Sequence, residues 1–110
     1  MDITLVLKCL ADENRLKIIT LLAERKYCVR ALSKQLGISE SAVSQHIRIL
    51  KKAGLLEVGD KNGYNIHYAV NKDCLVMLSH NIMKIADSVQ TDRKCGGNCK
   101  GEENEKRNII

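Results

Sequence analysis

Val29-Arg-Ala-Leu-Ser-Lys-Gln-Leu36, then Gly37-Ile-Ser39, then Glu40-Ser-Ala-Val-Ser-Gln-His-Ile-Arg-Ile-Leu-Lys-Lys-Ala53 is the stretch on which the fold turns. In its first segment Val29, Leu32 and Leu36 recur at i, i+3 and i+7, so they share one helical face. Gly37 can take the left-handed backbone that ends a helix. Ser39 can cap the next helix, its hydroxyl accepting a free backbone N–H. In that second helix Val43, Ile47 and Leu50 form a buried stripe, and Ser41, Ser44, Gln45, Arg48 and Lys52 fall together on the opposite face. Two short helices joined by a three-residue turn containing Gly are the signature of a helix-turn-helix. The outward face of the second helix carries hydrogen-bonding and basic side chains and no acid, which suits entry into a DNA major groove. An ordinary amphipathic pair with a solvated face has the same pattern; the next segment separates the two readings.

Beyond Ala53, Gly54 ends the helix and Leu55 to Val70 reads as a hairpin. Leu56 and Val58 flank Glu57. Tyr64, Ile66, Tyr68 and Val70 alternate with Asn65, His67 and Ala69. Between the runs lies Gly-Asp-Lys-Asn-Gly, and Asn62-Gly63 is a strong hairpin signal. A two-stranded ribbon directly after a helix-turn-helix is a wing. Lys61 and Asn62 at its expected tip suit a phosphate or a minor-groove edge.

Before the motif, Ile3 to Ala11 is expected to be helical, with Ile3, Val6, Leu7 and Leu10 in one stripe that Leu5 and Cys9 widen. Asp12 should cap a second helix through about Glu24, with Leu16, Ile19 and Leu22 or Ala23 facing the core. After the wing, Asn71 or Asp73 should start a last helix through about Val89. Its apolar arc, Leu75, Leu78, Ile82, Ile85 and Val89 with Val76, Met83 and Ala86 beside them, is wider than one core contact needs. The expected fold is therefore mainly α with a two-stranded β-wing, a winged helix-turn-helix that forms a homodimer through its first and last helices. Residues 1–90 form the domain. Residues 91–110 are charged and Gly-rich, expected to be a flexible tail carrying cysteines.

A chain of 110 residues is one domain with a modest core, for which dimerisation buries further apolar surface. With 45% hydrophobic residues and no Pro, Phe or Trp, the composition is that of a helical globular protein. Net charge is +5. Cys28 to His67 holds six basic residues and three acids, so +3 of the +5 sits in the stretch expected on DNA. No apolar run is long enough to span a bilayer, and the N-terminus lacks the features of a secretory signal. The expected location is the cytoplasm, with no membrane partner. Five cysteines, an odd number, do not read as a secreted disulfide framework. There is no visible nucleophile–base arrangement or phosphate loop, so an enzyme is not expected.

Leu10 to Ile19 (Leu-Ala-Asp-Glu-Asn-Arg-Leu-Lys-Ile-Ile), Cys28 to Leu32 (Cys-Val-Arg-Ala-Leu) and Leu36 to Leu55 resemble the ArsR/SmtB family of winged-helix repressors. The resemblance implies homodimers that occupy operator DNA and release it when a metal, metalloid or oxidant binds. It would put Ser41, Ser44, Gln45, His46 and Arg48 at or near base edges, and Ser33, Gln35, Lys51 and Lys52 near phosphates. The family's sensing sites do not carry over intact. Where arsenic- and cadmium-type members have Cys-Val-Cys, this chain has Cys28-Val29-Arg30. Zinc-type members place Asp and His at both ends of the last helix; Asp73, Cys74, His80 and Asp87 do not reproduce that spacing. Redox-type members carry a cysteine in the second helix, where this chain has Ile18-Ile19-Thr20.

What remains is Cys95-Gly-Gly-Asn-Cys99, a pair of thiols that can chelate one soft ion or close on each other. The expected effector site joins Cys28 to Cys95 and Cys99 as three thiolates for As(III), Cd(II) or Pb(II), with Arg25, Lys26, Arg30, Arg93 and Lys94 favouring deprotonation. No cofactor is expected to be needed for DNA binding itself. A repressor whose tail dithiol senses redox state, and a winged-helix interaction module that never touches DNA, are the alternatives.

Overall fold

The computed structural model describes residues 2–63, 65–90, 92 and 95–97. The order is α1 (Ile3–Leu10), α2 (Glu13–Glu24), α3 (Val29–Leu36), α4 (Glu40–Lys52), β1 (Leu56–Asn62), β2 (Asn65–Val70) and α5 (Lys72–Asp87). This is a helix-turn-helix, α3 and α4, followed by a wing and enclosed by three further helices. The expectations for Tyr64, Arg93, Lys94 and Cys99, and for most of the tail, lie outside the described residues.

The helices start where short polar side chains can satisfy free backbone donors. Asp12 Oδ1 accepts from the Arg15 N–H at 3.0 Å, and Ser39 Oγ from the Ala42 N–H at 3.0 Å. Asp2 does the same for Thr4 at 3.0 Å, a cap the periodicity alone did not reveal. Gly37 closes α3 with φ +69°, a backbone that favours glycine. Its N–H donates to Ser33 O at 2.9 Å, and the Ser33 hydroxyl donates to the Ile38 carbonyl. The turn is therefore braced from both strands of the bend.

Val6, Ile18, Leu32, Val43, Leu50 and Leu55 are wholly buried and draw the inner faces of α1 to α4 around one core. The expected stripe of α2 needs a correction. Leu16 is 50% exposed, while Ile18, not anticipated, is fully buried. The buried face of α2 is Ile18, Ile19 and Leu22, turned from the expected one because α2 packs on α1, α3, α4 and β2 together. Leu5 and Leu7 on the apolar stripe of α1 are exposed in the single chain.

The wing differs from expectation in one detail. β1 runs on through Asn62, pairing Lys61 with Ile66 and Asn62 with Asn65. Lys61 and Asn62 thus belong to the ladder, and the turn falls one residue later, with Gly63 at φ +64°. The register slips between Val58 and Asp60, leaving Gly59 as an inserted residue. A Cβ on Gly59 would come 3.0 Å from the His67 carbonyl oxygen, a tight approach to which the paired strand would have to yield by a few tenths of an ångström.

Asn71 joins three elements. Its Nδ2 donates to Gly54 O at 3.0 Å, its Oδ1 accepts from Cys74 N–H at 3.3 Å, and its own N–H donates to Leu55 O at 2.9 Å. One side chain caps α5 and pins it to the end of α4. Asn71→Ala is expected to lower stability by about 1–2 kcal/mol, readable as a lower midpoint with unchanged slope in urea unfolding.

α5 is mostly uncovered. Of its residues only Cys74 is buried. Val76, Met77, Ile82, Met83 and Ile85 are large, apolar and exposed, and so is Val89 just beyond its end. Among the described residues, no helix is long and apolar enough to cross a membrane.

Candidate nucleic-acid interface

α4 presents the surface on which recognition would depend. Val43, Ile47 and Leu50 hold its back in the core, so at 3.6 residues per turn the side chains about half a turn away must face outward. Ser41, Ser44, Gln45, Arg48, Lys51 and Lys52 are all exposed. Arg48 Nη1 lies 3.5 Å from Gln45 Oε1, one turn apart on that face. Their side chains provide donors and acceptors without an acidic group between them, the chemistry that reads base edges.

Three expected contact residues have additional roles. Lys51 Nζ sits 5.6 Å from the centre of the Tyr68 ring, a cation–π contact tying α4 to β2. Ser33 is half-buried and its only hydroxyl proton is used on the Ile38 carbonyl, which leaves it acceptor lone pairs but no donor for a phosphate. His46 is half-buried; it lies about 140° around α4 from Ser41, and its Nδ1 is 3.3 Å from Arg15 Nη1. Gln35 and Lys61 are exposed on α3 and β1. Asn62 is in β1, and its side chain is outside the described set.

The wing is held from the side, toward the outer half of its first strand. Lys26 in the α2–α3 connection donates to Asp60 of β1, and that bond with the ammonium charge keeps the Asp60 carboxyl below its ordinary range. Both partners are exposed, so the contact orients the hairpin more than it stabilises the fold. Val29, Ser44, Ile47, Arg48, Lys51 and Tyr68 then line a concavity of about 420 Å³ where α3, α4 and the wing meet. Arg15 and Tyr68 are the structural residues that sequence reasoning missed. Tyr68 gave only the signal of strand alternation, and Arg15 only its place three residues after a cap.

The cysteines divide by environment. Cys9 and Cys74 are buried, and burial raises both thiols above their ordinary range, keeping them protonated. Cys28 is a half-buried thiol at the N-cap of α3 without a side-chain capping bond. Cys95 is disulfide-bonded. Among the described residues, no three His, Cys, Asp or Glu side chains gather into a metal site.

The model of the family described as "Bacterial regulatory protein, arsR family" matches residues 12–58. A helix-turn-helix transcriptional regulator of Methanocaldococcus jannaschii is 34% identical over 67 residues, covering 60% of this chain and 75% of that protein. The solved structure of reduced HlyU from Vibrio cholerae is similar over 72% of this chain and 85% of its own, with 30% identity and a TM-score of 0.61. The chain belongs to the ArsR family. An ArsR-like transcriptional regulator from Rhodococcus sp. RHA1 is similar at a TM-score of 0.68 and 27% identity, over 77% of this chain and 79% of that one. Among relatives of known name, the SmtB-homologue repressor of Synechocystis is 33% identical over 81 residues, 74% of this ArsR-family chain and 58% of that protein. The arsenical resistance operon repressor of Escherichia coli is 40% identical over 65 residues, 58% of this chain and 55% of its own. The match thus spans little more than half the length of these two repressors. All five are regulators by name, and none is an enzyme.

Proposed function

We propose that the protein is a homodimeric, DNA-binding transcriptional repressor. The observation that carries this reading is α4: its apolar back is locked in the core, its outer row of Ser41, Gln45, Arg48 and Lys52 is exposed, and a wing is pinned beside it. Two copies facing the same way present their α4 helices to successive major grooves, about 34 Å apart. The exposed apolar residues of α1 and α5 are the surface that pairs the copies.

Arg48 and Lys52 test this division of labour. Against a duplex that the protein itself selects from a random pool, Arg48→Ala is expected to cost about 1–3 kcal/mol, a loss of roughly 5- to 150-fold, with little change on bulk DNA. Lys52→Ala should weaken both equally and lower the salt slope by about one. Fluorescence anisotropy at several salt concentrations separates the two. Full affinity for the selected duplex in Arg48→Ala would remove Arg48 from the groove.

The effector in this reading is a thiophilic ion bound by Cys28, Cys95 and Cys99. Support comes from donor chemistry: thiolate sulfur selects As(III), Cd(II) and Pb(II) over harder ions, and the arsenical repressor of E. coli is a relative. The disulfide at Cys95 favours the second reading, a redox-sensing tail. With the protein reduced, arsenite, cadmium or lead is expected to release the duplex while zinc does not, and both Cys28→Ser and Cys95→Ser should abolish release. Release by peroxide that survives Cys28→Ser but not Cys95→Ser would establish the redox reading in its place.

A further inference from the structure

We propose that Arg15 is a positioning residue for DNA recognition, setting the rotation of α4 through its contact with His46. The proposal rests on the DNA-binding reading and adds to it a residue that lies on α2, away from the expected contact surface.

The Arg15 side chain is only 17% exposed. Its Nε donates to the Cys9 carbonyl at 2.7 Å, and Nη1 lies 3.3 Å from His46 Nδ1 and 4.0 Å from Asp12 Oδ2. The Cys9 carbonyl belongs to the last turn of α1, where carbonyls lack helical partners. One planar fork therefore meets the end of α1, the cap of α2 and the middle of α4. Arginine is always protonated and has donors only. For this contact to be a hydrogen bond His46 Nδ1 must accept, which is the tautomer with the ring proton on Nε2.

The location of this contact gives it a consequence for recognition. His46 stands next to Gln45 and two residues from both Ser44 and Arg48. A helix held at one azimuth is held at all, because each residue turns it by about 100°. Fixing His46 from behind therefore fixes the direction in which Ser44, Gln45 and Arg48 project. Arg15 also reaches α1, whose Leu5 and Leu7 belong to the surface proposed to pair the copies. The guanidinium is thus a direct polar link between the pairing helix and the reading helix. Lysine could not replace it, since a point-like ammonium cannot serve the Cys9 carbonyl and the imidazole in one plane.

The experiment uses the full reduced chain, the duplex it selects from a random pool, and bulk DNA. Arg15→Lys and Arg15→Met are expected to lower affinity for the selected duplex about tenfold, with bulk DNA affected less than about twofold. In a His46→Asn background, whose amide oxygen can stand where Nδ1 stood, Arg15→Met should again cost about tenfold. In a His46→Ala background, Arg15→Met should cost less than a further twofold, because an interaction already removed cannot be lost again. Nitrogen NMR of His46 without DNA should show the Nε2–H tautomer, and Arg15→Met should abolish that preference. Additive losses in the double variant, equal losses on both DNAs that follow thermal stability, or an Nδ1–H ring would overturn the proposal. No duplex binding by the parent protein at all would instead overturn the DNA-binding reading and the positioning role with it, while the spectrum would still report on the Arg15–His46 contact.

Discussion

Ile85→Glu is expected to turn the dimer into a monomer and to lower operator affinity by about 10²–10⁴-fold, the range over which linked binding exceeds single-site binding. Ile85 is 67% exposed on α5, with Ile82, Met83 and Val89 exposed near it. Apolar side chains gathered on one helix are what a partner surface supplies, and a carboxylate among them would be buried without a counter-charge. The single chain should scarcely notice the change, since Ile85 is not part of the core. Sedimentation equilibrium reads the dissociation and anisotropy reads the affinity. Lys84→Glu, one residue earlier, controls for added negative charge. An Ile85→Glu protein that remains dimeric and binds within twofold of the parent would show that the copies pair elsewhere. The size of the expected loss follows from geometry: each monomer would keep its α4 and wing, but the second half-site would no longer be held at high local concentration.

The helix-turn-helix was legible in the sequence because its signals are local. Ser39 caps, Gly37 takes positive φ, and Val43, Ile47 and Leu50 repeat at helical spacing; all three are determined within a turn or two of chain. The same holds for Asp12 and Asn71. What was not legible depends on packing between distant segments. Whether Leu16 or Ile18 is buried is decided by four neighbouring elements, and the two residues differ by only two positions on α2. The extension of β1 through Asn62 depends on the Gly59 bulge, which shifts the pairing by one residue. At the interface, residue type was enough to find the exposed row on α4. It could not show that Ser33 donates into its own turn, that Lys51 rests over Tyr68, or that His46 faces Arg15 across 31 positions of sequence.

Leu50→Ala is the substitution expected to damage the fold most, by about 2–5 kcal/mol. Leu50 is fully buried on the back of α4, so truncation removes apolar contacts and leaves a cavity where α4 meets the core. Domains of this size are stable by about 5–15 kcal/mol in total, so much of the margin goes, and the melting temperature should fall by about 4–8 °C for each kcal/mol lost. Leu16→Ala is the matched control. The same chemical change at a residue that is 50% exposed should cost less than about 0.5 kcal/mol in a single chain. Urea unfolding of the two variants at equal protein concentration compares them directly. Equal losses would mean that Leu16 is covered once two copies pair, a result visible as concentration dependence of the Leu16→Ala midpoint. A small loss for Leu50→Ala would contradict the packing that aims α4 outward, because Ser44, Gln45 and Arg48 project toward DNA only while Leu50, Ile47 and Val43 are held inside.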